Sequence, residues 1–290
     1  MSCAVKMDQM ATLVYRQRRP ERTRLYQTIQ NELESWLKIR SLEDLPAFVE
    51  KEFRAFLKCG ILAYGFARAH CSHCGYDFLV AFSCKGRGFC PSCNTKRMVE
   101  TAAYLTDLVF PKVRLRQWVL SFPKRIRYFL QHNPQYINPI LQIFIRAIRK
   151  ALLLNCDANA GKMGAVTFLQ RFGSSLNLHL HFHSIVIDGL FDKEGNFYPA
   201  GFLSSEEVFE VEKEICQKVI KFFLKKGFLE KEEAENMLAW ENSGFSLDAS
   251  VLIEAEDREG LERLIRYCAR PIFASSRLES AGNRLKYILS

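Results

Sequence analysis

The sequence predicts an α+β protein in which a basic, cysteine-rich N-terminal module precedes an antiparallel sheet flanked by helices. Three observations predict this fold class. Six of the ten cysteines lie in one short stretch, the charge is unequal between the two halves, and strand-like patterns alternate with helical ones after residue 110. With 290 residues that are 48% hydrophobic, the chain can form one large or two modest domains. We expect the division near residue 110, with a basic arm, helices and a metal module in 1–110 and the sheet domain in 111–290.

The charge distribution favours nucleic acid as the partner. Residues 1–150 contain 25 Lys and Arg against 11 Asp and Glu, whereas residues 151–290 contain 16 against 21. A net charge of +14 in one half and −5 in the other is typical of nucleic-acid binding, although a basic solvated surface is the alternative. The sequence contains no long uncharged apolar run and no signal peptide, so we expect a cytoplasmic protein without a membrane span.

The hydrophobic patterns predict the order of the elements. In the first half they predict helices over 21–38, 45–57 and 96–110, separated by loops and short strands over 59–93. In the second half they predict strands over 114–122, 164–172, 176–187 and 249–254, with helices over 124–155, 205–226, 231–240 and 258–269. The glycine-serine link between the strands 164–172 and 176–187 indicates a β-hairpin.

The cysteine cluster contains two C-x2-C pairs, Cys71 with Cys74 and Cys90 with Cys93, separated by 15 residues. In a cytosolic chain such pairs indicate metal binding rather than disulfides. Four thiolates form a closed tetrahedral zinc site, which is structural because no position stays open for a substrate. We therefore expect a structural Zn²⁺ on these four residues, with Cys59, Cys84, His70 and His73 as possible substitutes.

Three histidines, His179, His181 and His183, alternate with apolar residues in one predicted strand. Alternate residues share a face of a strand, so the three imidazoles line one face while Leu178, Leu180 and Phe182 pack into the core. Neighbouring members of this row lie about 6.6 Å apart along the strand, which allows two of them to share one metal ion. We expect His181 and His183 to form an open, catalytic kind of metal site, with His179 as an alternative ligand. Gln170 and Asp188 are candidate third ligands, and a set of buried, hydrogen-bonded histidines is the alternative interpretation.

Tyr267 lies off the apolar stripe of the predicted helix over 258–269, on the side that carries Arg263 and Arg270. A tyrosine among arginines is suited to meeting a phosphate, although surface tyrosines without any such role are common. Further basic residues that we expect to contact DNA phosphates lie in the N-terminal arm and beside the cysteine pairs: Arg16, Arg18, Arg19, Arg87, Lys96 and Arg97.

The motif His181-Phe182-His183 resembles the His-hydrophobic-His motif of HUH endonucleases. More closely, the chain resembles rolling-circle transposases of the family typified by insertion sequence ninety-one. The resemblance rests on the segments 15–20, 59–63, 71–74, 82–84, 88–93, 118–123, 164–168, 170–173, 177–183, 188–189 and 266–271. These segments run nearly end to end, and together they are very specific.

The resemblance implies an N-terminal zinc-binding region and an HUH-type catalytic domain. It implies that a divalent ion, Mg²⁺ or Mn²⁺, polarises the scissile phosphate while a tyrosine, here Tyr267, becomes linked to the 5′ phosphate of a single-stranded element end. No second tyrosine lies one helical turn away, so a single-tyrosine mechanism is expected. The resemblance also implies that full-length relatives continue past Ser290, so we expect an incomplete C-terminal end.

Two other functions remain open from the sequence. The first is a catalytically inactive, truncated protein that binds DNA through its zinc module. The second is an RNA-binding zinc module with a histidine-lined core, although no aromatic motif for stacking single-stranded RNA is evident.

Overall fold

The structure is a computed structural model that describes residues 18–40, 45–86, 88–157, 160–282 and 284–289. The chain forms two compact units. One unit contains the chain up to Glu100 together with Arg270–Ser290, and the other contains Thr101–Ala269. The prediction assigned the segment Arg270–Ser290 to the second domain, but Phe273 and Leu278 of this segment pack into the core of the first unit.

The secondary structure comprises helices and antiparallel strands. The α-helices are α1 (Arg24–Arg40), α2 (Ala47–Lys58), α3 (Pro91–Tyr104), α4 (Lys124–His132), α5 (Ile137–Asn155), α6 (Ser205–Lys225), α7 (Lys231–Ala239) and α8 (Arg258–Cys268). The strands are β1 (Phe66–His70), β2 (Asp77–Ala81), β3 (Leu115–Ser121), β4 (Ala165–Phe172), β5 (Leu178–Ile187), β6 (Gly189–Phe191), β7 (Phe197–Pro199), β8 (Ser246–Asp248), β9 (Leu252–Ile253), β10 (Leu278–Ala281) and β11 (Arg284–Tyr287). Within the described residues, none of the helices is both long and apolar enough to span a bilayer.

The first unit has a small apolar core that surrounds several cysteines. Tyr26 of α1 and Phe56 of α2 are buried, and the Phe89 ring lies 5.1 Å from the Phe56 ring, edge to face. Cys59, Cys90 and Cys93 belong to the same buried cluster. A core of this size buries little apolar surface and so contributes little to stability. Small folds of this kind are commonly stabilised by a metal ion.

The second unit is built on a five-stranded sheet with the order β4-β5-β3-β8, in which β9 also pairs with β3. All of these pairings are antiparallel. The predicted hairpin is confirmed as β4 and β5, which places the histidine strand inside the sheet between β4 and β3. The strand predicted over 249–254 is present as the short β9, and β8 precedes the predicted range. The two strands pair with different parts of β3.

The two faces of this sheet carry different layers. On one face, Leu180 and Phe182 of β5 and Trp118 of β3 are buried in a large core that includes residues of α4, α5, α6 and α7. On the other face, Ile185 and Ile187 of β5 pack with α8. The alternation along β5 puts the histidines on this second face, so α8 covers the same side of the sheet.

Candidate functional site

Four cysteines of the first unit form a cluster that can hold one metal ion. The sulfur atoms of Cys59, Cys84, Cys90 and Cys93 all lie within 4.8 Å of one another. Cys59 and Cys93 are separated by 3.6 Å, and Cys84 and Cys93 by 3.5 Å. Four sulfur ligands at such separations suit the tetrahedral coordination that zinc adopts in structural sites.

The β1–β2 hairpin assembles this cluster. The backbone N–H of Gly60 donates to the carbonyl of Phe82 at 2.9 Å, which holds the two ends of the hairpin together. Cys59 follows α2 on one side of that bond and Cys84 follows β2 on the other. Cys90 and Cys93 lie at the start of α3. Backbone N–H groups donate to the sulfurs, from Cys84 to Cys59 at 3.3 Å and from Gly86 to Cys84 at 3.4 Å.

The clustered cysteines differ at two positions from the predicted ligand set of Cys71, Cys74, Cys90 and Cys93. Cys71 and Cys74 lie in the turn at the far end of the hairpin, where the N–H of Cys71 donates to the carbonyl of Tyr76 at 2.9 Å. The spacing of the C-x2-C pairs suggested a shared site. An antiparallel hairpin instead separates its turn from its base and brings its flanking residues together.

Hydrogen bonding and burial affect the cluster thiols in opposite directions. A hydrogen bond from the thiol of Cys90 and one from the backbone N–H of Cys84 lower the pKa of Cys59 to about 5. Burial raises the pKa of Cys84 to about 12. The protein groups alone thus favour the thiolate at Cys59 and the neutral thiol at Cys84. A divalent ion changes this balance, because its charge stabilises all four thiolates together.

The three histidines share one face of β5, as predicted. His181 and His183 are buried and His179 is half-buried. The ring centroids of His179 and His181 are 5.1 Å apart, and those of His181 and His183 are 4.9 Å apart. Leu180 and Phe182 pack behind them in the core, but the prediction for Leu178 was wrong, because this residue at the start of β5 is 60% exposed.

Two hydrogen bonds fix the histidine rings. Nδ1 of His181 donates to the carbonyl of His179 at 2.7 Å. The side-chain nitrogen of Gln117 lies 3.0 Å from Nδ1 of His183 and donates to Sγ of Cys268 at 3.3 Å. Nε2 is then the nitrogen through which either ring would coordinate a metal ion. A hydrogen bond at the other ring nitrogen commonly orients histidine ligands.

Gln117 is the residue at this site that the sequence reasoning missed. It lies opposite Ile185 in the register between β3 and β5, so its side chain is on the histidine face. The alternation of residues along the predicted strand 114–122 carried this information. Finding Gln117 in the sequence, however, also required the register between two strands that lie far apart in the chain.

Helix α8 brings Tyr267 to the histidines. Leu261, Ile265 and Cys268 are buried against the sheet, as the apolar stripe predicted. The Tyr267 ring lies beside this buried stripe on the helix surface. Its centroid is 5.7 Å from that of the His183 ring, and the two rings are almost perpendicular. Tyr267 remains 47% exposed, so it lies at the opening of the histidine face.

Gln170 and Asp188, the two candidate third ligands, are in different surroundings. Gln170 lies opposite His181 in the register, and its side-chain nitrogen donates to the carbonyls of Cys268 at 2.9 Å and Tyr267 at 3.4 Å. It thereby holds the C-terminal end of α8 against β4. Asp188 is buried and ion-paired with Arg114 and Arg116, each through an N–O distance of 2.8 Å. The carboxylate of Asp188 is thus engaged in buried ion pairs with these two arginines.

Replacing Asp188 with alanine is expected to lower the free energy of unfolding by about 3–5 kcal/mol, because two guanidinium groups lose their buried carboxylate. Urea denaturation followed by circular dichroism measures this loss. Asp107→Ala, at an exposed position, is the control and should change the free energy by less than about 0.5 kcal/mol. An Asp188→Ala protein of normal stability that had lost a metal ion would instead identify Asp188 as a ligand.

The basic residues predicted to contact DNA are spread over both units. Arg18, Arg19 and Lys96 are exposed, and Arg97 is half-buried. Arg18 donates to the hydroxyl of Ser92. Arg263 is exposed on α8, 3.6 Å from the carboxylate of Glu259, and Arg270 is exposed in the first unit. Arg16 and Arg87 lie outside the described residues.

Two family models match the chain. The model described as "Transposase zinc-binding domain" matches residues 28–122, and the model described as "Putative transposase" matches residues 164–288. No curated protein and no solved structure matches the chain.

The zinc-binding match includes all four clustered cysteines, which supports a structural zinc ion in the first unit. The second match includes the histidine strand and Tyr267. Transposases act on DNA, so the two matches imply that DNA is the partner of this chain. The chain belongs to the family of transposases typified by insertion sequence ninety-one.

Proposed function

We propose that this transposase nicks and rejoins single strands at the ends of its mobile element through a 5′-phosphotyrosine intermediate on Tyr267. The observation that carries the proposal is the 5.7 Å separation between the ring centroids of Tyr267 and His183. An exposed tyrosine beside a row of imidazoles is the combination expected of an HUH-type domain, and this supports the proposed role of Tyr267 as the nucleophile. Tyr267 and His183 are far apart in the sequence, and the packing of α8 on the histidine face of the sheet brings them close together.

The histidine face fits a divalent cation. His181 and His183 present adjacent rings, and both have Nδ1 engaged in a hydrogen-bond contact. Two imidazoles leave coordination positions for phosphate oxygens and water. A bound Mg²⁺ or Mn²⁺ would supply positive charge that polarises the scissile phosphate. We propose His181 and His183 as the ligands, with His179 and Gln170 as further candidates.

The reaction needs no redox partner. The hydroxyl oxygen of Tyr267 attacks the phosphorus, and the bond from phosphorus to the 3′ oxygen breaks. The phenolic proton leaves to solvent and the departing oxygen takes up a proton, so a free 3′ hydroxyl and a 5′-phosphotyrosine result. Joining is the same exchange in reverse, in which a 3′ hydroxyl attacks the phosphotyrosine and restores the Tyr267 hydroxyl.

The first unit would hold the DNA while this exchange proceeds. We propose that Cys59, Cys84, Cys90 and Cys93 hold the structural zinc ion. We further propose that basic residues of both units contact phosphates: the exposed Arg18, Arg19, Lys96, Arg263 and Arg270 and the half-buried Arg97, together with Arg16 and Arg87. Such contacts make binding sensitive to salt and largely independent of base sequence.

Incubating the full chain with 3′-end-labelled single-stranded element DNA and Mn²⁺ or Mg²⁺ tests this function, because the fragment on the 3′ side of the nick is the one that stays linked to the protein. The expected result is a labelled protein band that survives denaturation and disappears when EDTA is added or when His181 is replaced by alanine. The Phe202→Ala variant, altered at an exposed position of the second unit, is the control and should form the band normally. Salt-sensitive DNA binding with no cleavage under any divalent metal would overturn the proposal and favour a zinc-dependent DNA-binding protein without catalysis.

A further inference from the structure

One face of the β1–β2 hairpin carries a row of large side chains. Phe78 and Val80 lie on one face of β2. Tyr76 and Phe82 flank the strand at the next alternate positions, where backbone hydrogen bonds between Cys71 and Tyr76 and between Phe82 and Gly65 continue the pairing. The rings of Tyr76 and Phe78 are stacked, with centroids 6.2 Å apart and planes inclined by 27°. Tyr76 is 54% exposed and Phe82 is 57% exposed, which is unusual for a row of aromatic residues in a folded unit.

The neighbouring strand has only small residues on this face. Ala69 lies opposite Phe78 and Ala67 lies opposite Val80. The N–H of Phe82 donates to the carbonyl of Gly65 at 3.0 Å, and a Cβ atom at Gly65 would come within 2.8 Å of the Phe82 ring. The small residues of β1 thus leave the rings of Tyr76 and Phe82 exposed, whereas Phe78 is half-buried.

The segment that carries this row has a net positive charge, which suits a polyanion. Residues 57–99 contain six Lys and Arg but a single acidic residue, Asp77. Asp77 pairs with His70 in the register and so lies on the opposite face of the hairpin. Arg68 neutralises it there through two hydrogen bonds, of 3.0 and 2.9 Å. Before the hairpin, Nζ of Lys58 lies 6.0 Å from the centroid of the Tyr64 ring.

We propose that this aromatic row, Tyr76, Phe78, Val80 and Phe82, is a surface on which unpaired DNA bases stack. The proposal rests on the proposed function, because a single-strand nicking enzyme must hold unpaired DNA. Exposed aromatic rings beside positive charge form the usual surface for single strands, since every base offers a flat face to stack on. Bases in a duplex present only their edges to a protein. A second copy of the chain fits less well, because two such positive segments would repel each other.

Measuring the binding of a fluorescent oligothymidylate to the zinc-loaded full chain, in buffer without Mg²⁺ or Mn²⁺, tests the proposal. Tyr76→Ala and Phe82→Ala are each expected to weaken this binding about fivefold or more, the loss that one stacked base would cause. Binding of a duplex of the same length should be unchanged, because phosphate contacts remain. Phe66→Ala, which removes an exposed ring from the opposite face, is the matched control and should bind both DNAs normally.

Zinc content and circular dichroism establish that each variant is folded. Unchanged oligothymidylate affinity in both Tyr76→Ala and Phe82→Ala would overturn the proposal, as would an equal loss of duplex binding. Sedimentation gives a further discriminating outcome. If either substitution dissociated a dimer while single-strand affinity stayed constant, the row would be an interface between copies. The measurement requires no cleavage, so failure of the nicking reaction would be seen separately as loss of the covalent band with this binding intact.

Discussion

Cys59→Ser is expected to release the zinc ion and unfold the first unit, whereas Cys71→Ser should leave both the ion and the fold in place. Cys59 is buried, and its sulfur lies among three other sulfurs at the base of the hairpin. Structural zinc contributes roughly 10–16 kcal/mol of binding free energy in small domains, which is more than the stability of most such folds. Removing one of four ligands therefore affects the whole unit, whose apolar core is small.

Cys71→Ser is the matched control because it changes the same atom in the same hairpin, but at the turn rather than at the base. Zinc per chain measured by mass spectrometry of the metal, together with thermal unfolding by circular dichroism, distinguishes the two variants. If Cys71→Ser lost the ion while Cys59→Ser retained it, the ligand set inferred from C-x2-C spacing would be right and the set in the structure would be wrong.

This contrast shows which features can be predicted from the sequence. Alternation along one segment predicted that His179, His181 and His183 share a face, since the side-chain direction in a strand depends only on local geometry. The apolar stripe of α8 likewise predicted which side of the helix is buried. Such local patterns determined most of the helices and strands and the α+β class.

Features that depend on contacts between distant segments could not be predicted from such local patterns. The cluster of Cys59 with Cys84 requires the hairpin to close, and the contact of Gln117 with His183 requires a register between strands 66 residues apart. The spacing predicted all four cysteines of the two C-x2-C pairs as zinc ligands, Cys71 and Cys74 as well as Cys90 and Cys93. Spacing in the chain does not distinguish residues at the turn of a hairpin from residues at its base. The grouping of the segment Arg270–Ser290 with the first unit depends in the same way on tertiary packing.

Tyr267→Phe is expected to abolish the covalent protein–DNA band and to reduce strand cleavage by at least about a thousandfold, because the variant lacks the attacking oxygen. The substitution removes one atom from a side chain that is 47% exposed, so the fold and the position of the ring should persist. Affinity for uncleaved DNA should therefore match that of the unaltered chain. Loss of cleavage with unchanged stability and DNA affinity would identify Tyr267 as the nucleophile rather than as a residue that only supports the fold.

Tyr287→Phe is the matched control for this experiment. The Tyr287 hydroxyl accepts a hydrogen bond from the N–H of Ala274 at 3.1 Å, and its ring stacks on Phe273 with centroids 5.0 Å apart. Loss of that hydroxyl should reduce stability by about 1 kcal/mol and leave the covalent band intact. If the band persisted in Tyr267→Phe and disappeared in Tyr287→Phe, the attacking oxygen would belong to Tyr287. The proximity of Tyr267 to His183 would then have another cause, such as the packing of α8 on the sheet.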